Sequence, residues 1–130
     1  MRLENKVAIV TGAAQGIGAV YAQALAKEGA HVVIVDVKNC EKTKSTVEKN
    51  VADIEVMAHC CDVSKENDVT RLVETVMDRY GRLDVLVNNA AVFASLDRKP
   101  FEEIPVNEWD HVMAVNLRGV FLCARAVTSI

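Results

Sequence analysis

The residues with the most chemical content lie in the first third of the chain. Thr11-Gly12-Ala13-Ala14-Gln15-Gly16-Ile17-Gly18 spaces three glycines as G-x-x-x-G-x-G, directly after an apolar run over residues 6–11. Glycine lets a backbone turn tightly and lets a diphosphate approach a helix amino end, where free N–H groups and the helix dipole favour an anion. Eighteen residues beyond Gly18, Asp36 closes a second apolar run over residues 31–36. A carboxylate placed there accepts hydrogen bonds from both hydroxyls of a ribose. A glycine triplet alone is weak evidence, because turn and packing glycines are common. A triplet that opens a helix after the first strand, with an acid ending the second, is much stronger.

Other reactive side chains carry less. His59-Cys60-Cys61-Asp62 invites a metal reading, but it falls at the end of an apparent strand, where successive side chains point to opposite faces. Cys60 and Cys61 are therefore poorly placed for one tetrahedral ion, and ordinary buried thiols are the expectation; no metal site is expected. Cys40 and Cys123 complete a set of four with no C-x-x-C spacing. Ser95 lacks an elbow motif, and Glu102-Glu103 reads as a solvated loop. Asn116 differs from these. It shares a helical stripe with Trp109, Met113, Val120 and Ala124, and a polar amide on an apolar face needs a specific partner.

The remainder of the composition is that of an ordinary globular chain. At 130 residues one domain over 1–130 is expected, and 51% hydrophobic with 25% charged residues excludes a disordered or low-complexity class. A net charge of −3 offers no electrostatic footprint for nucleic acid or an anionic membrane surface. The uncharged run over residues 7–26 contains Gly12, Gly16, Gly18, Gln15 and Gln23, which disfavours a membrane span. Glu4 stands where a secretory signal would be purely basic. A cytoplasmic setting is expected.

Strands and helices must alternate to position these groups. Residues 6–11, 31–36, 55–60 and 83–88 read as strands. Helices are expected from Ile17 to a stop at Gly29, over 40–50, from a cap at Ser64 to a stop at Gly81, and over 107–130. Residues 89–107 hold Pro100, Pro105 and five charged side chains, and read as a long surface loop with room for one helical turn. Such an order implies an α/β fold: a doubly wound parallel sheet with right-handed crossovers, whose ligands bind beyond the carboxyl ends of the strands.

The spacing of the glycines resembles the cofactor loop of the short-chain dehydrogenase/reductase family. Further matches follow in order: Asp62-Val63 resembles the family's adenine-contacting pair, and Asn88-Asn89-Ala90-Ala91 its N-N-A-G motif. Val115-Asn116-Leu117-x-Gly119 resembles the helix carrying its active-site asparagine. The resemblance covers essentially the whole chain, with Ala91 in place of a usual glycine. It implies a Rossmann-like sheet of order 3-2-1-4, cut before the later strands. It implies cofactor contacts at Gly12, Gln15, Gly16, Ile17, Gly18, Asp36, Asp62, Val63, Asn89 and Ala90, and a catalytic role for Asn116 holding a water in a proton relay. Asn88 is expected to serve the structure by bonding sheet backbone. The family's Tyr-x-x-x-Lys pair does not occur: Tyr21 and Tyr80 have Leu25 and Asp84 four residues on.

The expectation is thus the cofactor-binding front portion of an oxidoreductase that moves a hydride between a nicotinamide and a small alcohol or carbonyl compound. A non-catalytic dinucleotide-binding or interaction module is the alternative. NAD is expected over NADP, because Asp36 would repel a 2′-phosphate and Gln15 is neutral, although Lys38 lies close. The final helix is apolar on more than one side, so a homo-oligomer is expected at full length, and by resemblance a tetramer built on a four-helix contact.

Overall fold

The computed structural model describes residues 1–130. Elements run β1 (Val7–Thr11), α1 (Gly16–Lys27), β2 (His31–Asp36), α2 (Glu41–Asn50), β3 (Val56–Cys60), α3 (Glu66–Tyr80) and β4 (Val85–Val87). A single 3-10 turn (Phe101–Glu103) precedes α4 (Val106–Met113), a π-helical turn (Ala114–Arg118) and α5 (Gly119–Val127). The four strands form one parallel sheet of order β3-β2-β1-β4, as the family resemblance implies.

Strand side chains alternate between two cores, because successive residues point to opposite faces. Val7 and Ile9 of β1, with Val33 and Val35 of β2, face Val69, Leu72 and Val76 of α3 and Leu122 and Cys123 of α5. Ala8 and Val10, with Val32 and Ile34, face Ala22 and Ala26 of α1 and Val47 of α2. Every residue of β1 is buried, which is why this strand reads as a continuous apolar run rather than an alternating one.

Three local expectations need correction. The capping position before α3 is Lys65, not Ser64, and the Ser64 hydroxyl donates instead to Asp62 Oδ1 at 2.6 Å. β4 is shorter than residues 83–88: Asp84 turns to bond the Val7 N–H at 2.9 Å, and the chain after Val87 bends toward Thr11. The single helix expected over 107–130 is interrupted by the π-helical turn centred on Asn116. Of the cysteines, Cys40, Cys61 and Cys123 are buried, whereas Cys60 is exposed at the sheet edge.

Candidate functional site

The carboxyl ends of β1, β2 and β4 bring Asp36, Asn89 and Ala90 against the glycine loop. Thr11, the last residue of β1, is buried and polar, and its hydroxyl organises the floor of the site. Thr11 Oγ1 accepts the N–H groups of Asn89 and Ala90, each at 3.0 Å, and donates to the Val87 carbonyl at 3.3 Å. Asn89 Nδ2 returns the contact by donating to the carbonyls of Thr11 and Gly12 at 3.0 and 3.1 Å. The sheet-bonding role expected of Asn88 therefore belongs to Asn89, and Asn88 is exposed. The bend after β4 turns Asn89 inward, a detail that strand periodicity does not carry.

Close packing above this floor requires glycine at two positions. Gly12 has a φ of +65°, and an added Cβ would stand 2.7 Å from Ala90 Cα. At Gly18 an added Cβ would stand 2.3 Å from the Gly12 carbonyl and 2.6 Å from Asn89 Nδ2. The loop is also tied to β2, since the Ala13 N–H donates to the Val35 carbonyl at 3.0 Å. Gln15 occupies the extended position before α1, and no side chain caps the helix. The first-turn N–H groups, from Gly16 through Ile17 to Gly18, thus have no side-chain acceptor.

Asp36 stands beside that helix start. Its Oδ2 accepts the Ala14 N–H at 3.1 Å and its Oδ1 accepts the Lys38 N–H at 3.0 Å, so two backbone donors from different loops orient the carboxylate. Each oxygen retains a lone pair for a further donor. A cavity of about 450 Å³ runs from Ala14, Gln15 and Gly16 to Lys38, Asn39 and Thr43.

The other motif residues, Asp62, Val63 and Asn116, do not line that cavity. Burial pushes the Asp62 carboxyl up, but hydrogen bonds from the Ser64 hydroxyl and N–H, with Lys65 nearby, outweigh it and hold the group below its ordinary range. Val63 is buried against α5, where an added Cβ on Gly119 would stand 2.7 Å from Val63 Cγ2. That approach explains the glycine three residues after Asn116. Asn116 Oδ1 accepts the Val92 N–H at 2.7 Å and its Nδ2 donates to the Val92 carbonyl at 3.0 Å, stitching the π-helical turn to the segment leaving β4. Such turns inside helices are frequent at functional sites.

The site therefore combines an uncapped helix start suited to an anion with a fixed carboxylate suited to vicinal hydroxyls. Sequence reasoning missed Thr11 as its organiser, although a hydroxyl ending an otherwise apolar strand was the available signal.

Known proteins share this fold. The profile of a family described as "short chain dehydrogenase" matches residues 6–130. A sorbitol dehydrogenase from Cereibacter sphaeroides is 39% identical over 129 residues, covering 98% of this chain and 47% of that protein. A galactitol 2-dehydrogenase from Agrobacterium fabrum is 38% identical over 130 residues, covering all of this chain and 48% of its own length. Among solved structures, an NAD+-bound xylitol dehydrogenase superposes with a TM-score of 0.91 at 30% identity, over 99% of this chain and 49% of that one. The chain spans about half the length of the curated relatives it matches. No helix of the structure is long and apolar enough to cross a membrane.

Proposed function

Because the chain belongs to the short chain dehydrogenase family, we propose that it is the dinucleotide-binding half of an NAD-dependent oxidoreductase acting on a small alcohol or carbonyl compound. The observation that carries this reading is Asp36, fixed by the Ala14 and Lys38 N–H groups beside an uncapped helix start. The residues fit the group. An added Cβ at Gly16 meets nothing within 4 Å, so this side of the loop is open to a ligand, whereas Gly12 and Gly18 are packed from beneath.

When bound, the nicotinamide supplies hydride transfer at its ring carbon. Gly12, Gln15, Gly16, Ile17 and Gly18 would hold the diphosphate through backbone N–H groups, to which the helix dipole adds. Asp36 would accept the ribose hydroxyls, and Asp62 with Val63 would meet the adenine. Asn89 and Ala90 would support the cofactor from the floor. Asp36 disfavours a 2′-phosphate by charge, and Gln15 adds no cation; Lys38 and Lys42, which line the same cavity, are the nearby counterweights.

Asn116 is assigned a place in the proton relay. Its contacts to Val92 use one acceptor site and one N–H of the amide, leaving one of each for a water. No Tyr-x-x-x-Lys occurs among the 130 residues, so proton exchange with substrate is assigned to residues outside them. Trp109 of α4, Leu117 of the π-helical turn and Phe121 of α5 are exposed, whereas Leu122 and Cys123 are buried, which supports a homotetramer built on these helices. A cytoplasmic setting accompanies this assignment.

Turnover decides it. The full-length protein, mixed with NAD and a panel of secondary alcohols that includes sorbitol, galactitol and xylitol, should produce the absorbance of reduced nicotinamide with at least one of them. Tight dinucleotide binding without turnover across the panel would instead make it a binding module.

A further inference from the structure

We propose that Cys40 and Cys60 form a peroxide-sensitive thiol pair that closes to a disulfide across the turn at Val37 and Lys38 and thereby weakens dinucleotide binding. The effect on binding rests on the ribose role proposed for Asp36; the thiol pairing does not.

Cys60 ends β3 directly opposite Asp36 in the parallel register and is exposed. Its thiol points at the Val37 carbonyl, with Sγ 3.8 Å from the oxygen. Cys40 immediately precedes α2, is buried, and points at the Lys38 carbonyl at 3.5 Å. The two acceptors belong to consecutive residues, whose Cα atoms are about 3.8 Å apart. Both sulfurs therefore bracket one short turn, and both line the same cavity of about 230 Å³. Cys61 and Cys123 lie in the core on the other face of the sheet, away from this turn.

The turn between the sulfurs is the one that holds Asp36. The Lys38 N–H is one of the two donors fixing its carboxylate, at 3.0 Å. Drawing Cys40 toward Cys60 moves Lys38, the residue spanned by the new link, and removes that donor. Asp36 keeps only its bond to Ala14.

The chemistry balances with hydrogen peroxide as oxidant. The exposed Cys60 thiolate attacks one peroxide oxygen and the O–O bond breaks, giving a sulfenic acid while the second oxygen leaves as water with the thiol proton. The Cys40 sulfur then displaces the sulfenic hydroxyl as a second water, and the S–S bond forms. Two thiols lose two electrons and two protons; one peroxide becomes two waters. Burial, with Asp36 nearby, pushes the Cys40 thiol up to about 11, so peroxide meets the exposed Cys60 first and Cys40 resolves the sulfenic acid through its position at the same turn.

The full-length protein, reduced and then exposed to dilute hydrogen peroxide, should lose two hydrogens in intact mass and yield a cross-linked peptide joining Cys40 to Cys60. Dithiothreitol should reverse both changes. NAD affinity measured by calorimetry should fall about tenfold or more on oxidation and return on reduction. Cys60→Ser, a surface change, should bind NAD as the reduced unmodified protein does and should keep that affinity after peroxide. Over-oxidation of Cys60 without a cross-link, or a cross-link that leaves NAD affinity unchanged, would overturn the proposal. If the reduced protein binds no dinucleotide, the ribose role of Asp36 falls, while the cross-linked peptide still decides the pairing.

Discussion

Thr11 and Asn89 hold each other twice: Thr11 Oγ1 accepts the Asn89 N–H, and Asn89 Nδ2 donates to the Thr11 carbonyl, each at 3.0 Å. The exchange locks the end of β1 to the segment leaving β4 beneath the glycine loop. Thr11→Val keeps the shape of the side chain but leaves the Asn89 and Ala90 N–H groups without their acceptor. An unpaired buried donor costs about 1–3 kcal/mol, so chemical denaturation should show a loss of that size. Thr11→Ser, which keeps the oxygen, should recover most of it.

Much of this fold was legible because it is written in local pattern. β2 occupies the expected residues 31–36, and Gly81 ends α3 as expected, with a φ of +68° and its N–H on the Met77 carbonyl. What was not legible depends on partners far along the chain. The π-helical turn at Asn116 goes with a bond to Val92, 24 residues earlier, and no helical periodicity encodes it. Ser64 reads as a cap from its neighbours, yet Asp62 takes its hydroxyl. The candidate site was legible as a set of residue types on strand ends, whereas the division of labour between Asn88 and Asn89 needed the bend after β4.

The loop glycines should separate into two kinds. An added Cβ at Gly18 collides with backbone and with Asn89, so Gly18→Ala should destabilise the protein by about 1–3 kcal/mol, as overpacking does. Gly16 has open space around it and a φ of +60°, so Gly16→Ala should cost only the left-handed strain, about 1–2 kcal/mol. Its larger effect should fall on NAD affinity, because the new methyl group occupies the open side of the loop. Paired denaturation and calorimetry distinguish the two behaviours.

Asn116→Asp tests the stitch between the π-helical turn and Val92. A carboxylate still accepts the Val92 N–H but cannot donate to the Val92 carbonyl, and sets oxygen against oxygen. Hydrogen exchange should quicken at Val92 and through the following loop, with a stability loss of about 1–3 kcal/mol. Unchanged exchange there would show that the bond does not hold the loop.

Asp84 should give stability a specific acid limb. The Arg82 guanidinium foremost, with the Val7 N–H and Lys6, holds its carboxyl well below the ordinary carboxylate range. Folding therefore favours the ionised form, and this contribution is full above the unfolded value of about 3.9 and is lost as pH falls below it. Asp84→Asn should be less stable than the parent at pH 7 by about 1 kcal/mol, since both cations are exposed and screened. The difference should shrink between pH 4 and 2, which denaturation midpoints for the pair would show.

The most direct measurement is calorimetric affinity for NAD and NADP in the full-length protein, with and without Asp36→Ala. The unmodified protein should favour NAD by about 1–3 kcal/mol, the scale of hydrogen bonds to a charged group. Asp36→Ala should weaken NAD and narrow the gap. Equal or tighter binding of NADP by the unmodified protein, or NAD affinity untouched by the substitution, would contradict the role assigned to Asp36.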